Sequence, residues 1–276
     1  MPYCPRCGTP LSSHEVAQGY RTLKERSAIV RFKVKDEENT YFLAWTTTPW
    51  TLPSNIALCV NPEEIYCKVK ATDGKNYILA KALLDSVLVP AASPAESGEG
   101  KGKKGKKGQQ EEKADKEASA APVPAYEILQ TCTGKELEWK EYEPLYECAG
   151  EKAAKQGKKG HYVVCDDYVT MTDGTGIVHI APAFGEDDAR IGRKYDLPLI
   201  QFVDEKGCMT EETPFAGMRT KPSAAELKAD PPAISADPEI LKDLDKSGKL
   251  FSAPKFEHDY PHCWRCDTPL DRKSVV

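Results

Sequence analysis

The chain has 276 residues, 40% hydrophobic and 29% charged, with a formal net charge of -5. That is enough apolar sequence for one large or two modest domains, and the acidic balance argues against a uniformly basic nucleic-acid binder. No run of about 18 apolar residues is present to span a membrane, and the N-terminus, MPYCPRCGTPL, has no apolar signal-peptide core; the expectation is a soluble, cytoplasmic protein.

Ten cysteines punctuate the chain. Cys4 and Cys7 form CPRC at one end, and Cys263 and Cys266 form CWRC at the other; the two share C-x-R-C-x-T-P-L. Each is a tight turn that can aim two thiolates at one ion, and four thiolates complete a tetrahedral zinc site. A redox dithiol or two unrelated turns are the alternatives, but a redox motif needs a βαβ context that this N-terminus lacks. His262 is a substitute ligand that a fourth cysteine makes unnecessary. The remaining cysteines, 59, 67, 132, 148, 165 and 208, stand singly and read as small residues in a reducing compartment.

Between the knuckles, β-branched or alternating runs predict strands at 28–35, 41–46, 55–60, 64–71 and 76–80, then a short helix over 81–88. Residues 92–122 are Ala/Ser/Pro/Glu/Gly followed by KGKKGKKGQQEEKADKEASAA, which has too little apolar surface to offset ordering and predicts disorder. A basic arm for RNA is the functional alternative, weakened by the adjoining acidic block. Residues 150–160 are a second, shorter run of this kind. AYEILQ, KELEWKEYEPLYE, HYVVCDDYVTM, TGIVHIA and LIQFVD predict further strands. DDARIGRKYD predicts a helix with Ala189, Ile191 and Gly192 inward, and 237–248 a helix capped by Asp237 and stopped by glycine. Strands dominate, so the expected fold is mainly β with peripheral helices (α+β), barrel-like, and set on a zinc-knuckle neck.

Two stretches concentrate chemistry. In WTTTPWTLP (45–53) a strand must end, because its prolines cannot continue a central ladder, leaving hydroxyls and freed backbone groups at the strand end. In DGTGIVHIAPAFGEDDARIG (173–192) a strand passes Ala-Pro and opens a helix with Glu186, Asp187 and Asp188. First-turn carboxylates are stabilised by the helix dipole, which accounts for all three structurally; the functional reading has one of them hold a cation. His179 is either a satisfied core histidine or a pocket wall.

Together, WTTTPWTLPSN and GTGIVHIAPAFGEDD, set between PYCPRCGTPLSSHEVAQGY and YPHCWRCDTPL, resemble the editing insertion of the isoleucyl-tRNA synthetase family. The sister valyl and leucyl enzymes carry an arginine where this chain has Thr48. The resemblance implies hydrolysis of valine mischarged onto tRNA(Ile), with valyl-adenylate as a second substrate. It implies that Asp188 clamps the substrate ammonium and that Thr46, Thr47 and Thr48 hold the terminal adenosine and the water. Trp50, Thr51, Asn55 and His179 would shape the pocket, with Asp187 the neighbour less favoured than Asp188. The chain then divides into a first knuckle and neck (1–20), an editing barrel (21–250) and a second knuckle with a return neck (251–276). Partners would be the tRNA(Ile) acceptor end and the rest of a synthetase, around a monomeric chain.

Two departures stand out. Many bacterial members have histidine where this chain has Phe184, and the terminal DRKSVV leaves the family pattern. Neither H-I-G-H nor K-M-S-K-S occurs, so ATP and amino-acid activation are assigned to a catalytic core outside this sequence. The competing reading is a zinc-knuckle module that docks on RNA without chemistry.

Overall fold

The computed structural model describes residues 2–89, 126–229 and 231–272; the segment 92–122 expected to be disordered lies outside them. At one end β1 (Pro2–Cys4) pairs with β2 (Thr9–Pro10) and β14 (Asp271–Arg272) in a small antiparallel sheet. Helix α1 (Ser13–Ala17) follows, started by a reciprocal cap in which the Ser12 N–H donates to the Glu15 carboxylate at 2.9 Å. The chain leaves along β3 (Tyr20–Arg26) and returns along β13 (Lys255–Pro261), a two-stranded ribbon registered from Tyr20↔Pro261 to Arg26↔Lys255. The ribbon starts at Gly19, where a Cβ would meet the His262 carbonyl oxygen at 1.9 Å. Only glycine permits that approach.

Beyond the ribbon the described residues form a nine-stranded mixed sheet. Its first strands are β4 (Ala28–Lys33), β5 (Thr40–Thr46), β6 (Ala57–Val60), β7 (Ile65–Ala71) and β8 (Asn76–Ala80). It is completed by β9 (Tyr126–Thr133), β10 (Tyr162–Cys165), β11 (Ile177–Ile180) and β12 (Leu250–Ser252). Along β5 the two-residue side-chain period sends Phe42 and Ala44 into the main core with Phe32, Leu58 and Ile180, while Leu43 enters a second core with Tyr77 and Leu79. The sheet is therefore covered on both faces, which explains why β6 and β10 are buried at every residue. β5 is where it forks. β4 runs along one edge of β5, while on the other edge β8 pairs with Thr40–Phe42 and β11 takes over at Trp45.

The mainly β, barrel-like fold with peripheral helices is the one expected. The helices are α2 (Leu84–Leu88), α3 (Gly134–Leu137), α4 (Glu147–Lys155), α5 (Glu186–Lys194), α6 (Ala224–Leu227) and α7 (Ala236–Lys246). Local expectations fail at four places, each for a physical reason. KELEWKEYEPLYE is not strand: Thr133 and Glu136 form a capping box that starts α3, and Trp139 turns the chain at φ 69°. Residues 150–160 are not structureless. Ala149 and Ala153, one helical turn apart, bury a narrow stripe of α4, and Lys158 and Lys159 pair with Asp196 and Glu141. LIQFVD buries Ile200 and Phe202 but makes only an isolated bridge, Val203 to Met209. Asp237 does not cap α7: Ser235 occupies that position, and Asp237 lies in the first turn with its carboxylate turned inward.

Candidate functional site

The fork in the sheet opens a cavity of about 310 Å3. β5 ends at Thr46, Thr48 leads into a 3-10 turn over Pro49–Ser54, and all six residues of that turn are buried. The turn gathers hydroxyls. The Thr46 Oγ1 accepts the Thr48 N–H at 3.1 Å, and the Thr48 and Thr51 hydroxyl oxygens lie 3.4 Å apart. Thr51 donates its hydroxyl to the Thr48 carbonyl at 2.8 Å, while its oxygen lies 2.8 Å from His179 Nε2. With Thr51's one proton committed to the carbonyl, His179 Nε2 must carry the hydrogen, which makes Nδ1 an acceptor. Burial lowers the His179 pKa to about 4, so the ring is neutral at physiological pH.

The opposite wall comes from β11 and α5. Asp188 Oδ2 accepts the Ala181 N–H at 2.9 Å, tying the carboxylate to the residue after β11. Gly185 makes this possible, because a Cβ there would meet Asp188 Cγ at 2.9 Å. Phe184 packs edge-on against Trp50 with centroids 5.0 Å apart. Two buried polar atoms, Trp50 Nε1 and His179 Nδ1, have no hydrogen-bond partner among the described residues. Each such atom costs roughly 1–3 kcal/mol, and His161 Nε2, Tyr168 Oη and Thr210 Oγ1, outside the cavity lining, are in the same position.

The structure brings Thr46, Thr47, Thr48, Trp50, Thr51, His179 and Asp188 to this one cavity. It separates the two adjacent carboxylates: Asp188 lines the cavity, while Asp187 pairs with Arg190 at 3.2 Å on the exposed side of α5. Asn55 is placed differently from expectation. It is buried beside the turn, donating to the Ala57 carbonyl at 3.0 Å and accepting the Tyr142 hydroxyl at 2.7 Å, and the cavity lining does not include it. Sequence reasoning missed the third wall, in which His258, Asp259, Tyr260 and Pro261 of β13 face the cavity. The only signal was the density of polar aromatic residues just before the second knuckle.

At the far end of the ribbon, Cys4, Cys7, Cys263 and Cys266 place their sulfurs within 4.8 Å of one another. Cys266 Sγ lies 3.5 Å from Cys4 Sγ and 3.4 Å from Cys7 Sγ, with the Thr268 hydroxyl 3.3 Å away. Four convergent sulfurs, two of them buried, fit a tetrahedral metal site. Of the single cysteines, Cys59, Cys67 and Cys165 are buried and the other three half-buried. Among the described residues no helix is long and apolar enough to cross a membrane.

No protein-family model matches the chain. It is 47% identical over 270 residues to the isoleucine–tRNA ligase of Clostridium novyi, covering 98% of this chain and 21% of that one. The Clostridium acetobutylicum and Bacillus thuringiensis isoleucine–tRNA ligases are 47% and 43% identical at the same coverage. The chain thus spans about a fifth of the length of these relatives. Among solved structures it is similar to GlLeuRS-CP1 (TM-score 0.52, 13% identity, 83% of this chain and 99% of that one). It is also similar to the editing domain of the P. knowlesi cytosolic leucyl-tRNA synthetase (TM-score 0.50, 16% identity, 86% and 98%). At those identities the likeness is one of fold. Along 98% of its length the chain is therefore related to one segment of the isoleucine–tRNA ligases, and its fold is that of the leucyl-tRNA synthetase CP1 editing domains.

Proposed function

We propose that this chain is an aminoacyl-tRNA editing unit that hydrolyses Val-tRNA(Ile). The observation that carries the reading is the juxtaposition, in one 310 Å3 cavity, of the Thr46–Thr48 strand end, neutral His179 and the Asp188 carboxylate. Such a unit is needed because a hydrophobic pocket separates substrates differing by one methylene by only about 10–200-fold, isoleucine against valine being the measured case behind that figure. A second, smaller site must therefore remove the valine already attached.

The residues supply that chemistry as follows. Asp188, fixed through Ala181, presents a carboxylate to the α-ammonium of the aminoacyl group. The threonine hydroxyls bind the terminal adenosine and orient a water at the ester carbonyl. Attack breaks the acyl–oxygen bond, releasing valine and leaving the ribose hydroxyl on the tRNA. The gain comes from positioning the reacting groups and from donors aimed at the developing oxyanion. Trp50, Phe184 and His179 narrow the cavity and set the size limit.

The four-cysteine cluster is read as a structural zinc site. The thiolates of Cys4, Cys7, Cys263 and Cys266 would hold the ion, which would clip the two ends of the neck together and supply no chemistry to the cavity. Amino-acid activation, with its ATP, is assigned to the part of the synthetase not represented here, and tRNA(Ile) is the partner. Incubating the chain with Val-tRNA(Ile) and Ile-tRNA(Ile) and following deacylation tests the reading. Selective loss of valine supports it, and binding without hydrolysis overturns it in favour of an RNA-docking module.

A further inference from the structure

One charged side chain is buried where the hydrolytic reading assigns it no role. Lys221 has a side chain 6% exposed, and its ammonium donates to Glu25 Oε2 at 2.7 Å and to Asp237 Oδ2 at 2.8 Å. It also lies 5.5 Å from the centroid of the Tyr260 ring. Burial alone would lower the Lys221 pKa, but Asp237 and Glu25 outweigh it and raise it, so the ammonium stays charged.

Each carboxylate also touches a residue that lines the cavity, Trp50 on the threonine turn and His258 on the ribbon. Asp237, in the first turn of α7, uses its other oxygen to accept the Trp50 backbone N–H at 2.8 Å. That bond fixes the 3-10 turn carrying Thr51 just beyond Thr48. Glu25 stands on β3 opposite Phe256, and its Oε2 lies 3.3 Å from Nε2 of His258, a residue of the cavity's ribbon wall. Lys221 is thus the point at which the threonine turn and the ribbon are joined by charge. A buried ion set that served only stability would have no need to end on two faces of one cavity, and such sets are often replaceable by neutral side chains with little loss of stability.

We propose that Lys221 is a positioning residue that holds the threonine turn and the ribbon wall at the separation required for hydrolysis. This inference rests on the editing reading of the cavity. Displacing a reacting group by about 1 Å can cost about 100-fold in rate, and the Trp50–Asp237–Lys221–Glu25–His258 chain guards against that displacement.

The test uses Lys221→Met, Lys221→Arg and the triple variant Glu25→Gln, Lys221→Met, Asp237→Asn, which buries no unpaired charge and keeps the test usable should Lys221→Met fail to fold. Two quantities are read: kcat and KM for Val-tRNA(Ile) deacylation, and amide hydrogen exchange at Trp50 and Thr51 against amides of the β4–β5 ladder. In the folded methionine variants kcat should fall about 10- to 100-fold with KM changed less than about twofold. Exchange at Trp50 and Thr51 should quicken while the ladder keeps its protection, and Lys221→Arg should restore most of both. Wild-type kcat in a folded methionine variant, or exchange quickened uniformly across the sheet, overturns the inference. Should the wild-type chain hydrolyse no Val-tRNA(Ile), the editing reading falls separately. Exchange at Trp50 then still decides the positioning role, and unchanged protection there overturns it.

Discussion

Replacing Asp188 by asparagine separates its charge from its geometry. An asparagine oxygen can still accept the Ala181 N–H now held at 2.9 Å, and Gly185 still leaves room for the side chain. What disappears is the negative charge facing the α-ammonium. A hydrogen bond to a charged group contributes about 1.5–3 kcal/mol, and removing one partner of a desolvated pair costs about 2–5 kcal/mol. Taking about 3 kcal/mol, and one factor of ten per about 1.4 kcal/mol, kcat/KM for Val-tRNA(Ile) deacylation should fall by roughly two orders of magnitude. Asp187→Ala is the matched control, because that carboxylate is exposed and its one ion pair among the described residues is with Arg190; it should stay within about threefold of wild type, since an exposed pair contributes about 0–1 kcal/mol. The assay is single-turnover release of labelled valine, with circular dichroism confirming the fold. Wild-type rates in Asp188→Asn, or a large loss in Asp187→Ala alone, would refute the assignment.

Three further outcomes are expected. His179→Ala removes the ring bonded to Thr51 and enlarges the cavity, so the preference for Val-tRNA over Ile-tRNA should fall by about tenfold, within the range open to pocket size; unchanged selectivity would place the size limit elsewhere. Burial holds His161 and His179 at pKa values of about 4, below the ordinary 6.5. Since the unfolded chain takes up those protons first, stability is full above about pH 6.5 and is lost as pH falls towards 4, by about 4 kcal/mol in total at pH 5 for the two rings. Equal urea midpoints at pH 7 and pH 5 would contradict this. Metal analysis should give one zinc per chain and none in Cys4→Ser/Cys263→Ser; full retention in the double variant would count against the four-sulfur site.

The residues that line the candidate cavity were more legible in the sequence than the frame around them. The threonine run and the Gly-Glu-Asp-Asp helix start stood out locally, as prolines after a strand and carboxylates in a helix's first turn, but their roles were legible only through the family resemblance. The paired knuckles were legible because sulfur spacing is itself the geometry. What stayed hidden depended on distant contacts. Nothing in KFEHDYPH shows that β13 pairs with β3 and turns His258 and Tyr260 towards the threonines. Asp237 looked like a cap because caps are read locally, whereas its partners Trp50 and Lys221 lie 187 and 16 residues away. Asn55 next to the threonine turn looked like a pocket residue, and only Tyr142 shows it to be a brace. The stripe of Ala149 and Ala153 was too narrow to outweigh a lysine-rich composition.

The central claim is that the cavity at the end of β5 holds the aminoacyl end of a tRNA. The most direct measurement is a crystal structure of the chain with a non-hydrolysable adenosine carrying valine through an amide at its ribose. The adenosine should lie against Thr46–Thr48 and the α-ammonium within about 3 Å of the Asp188 carboxylate, the distance of a charge-assisted hydrogen bond. The same analogue bound away from that cavity, or bound in it with its ammonium turned from Asp188, would contradict the account.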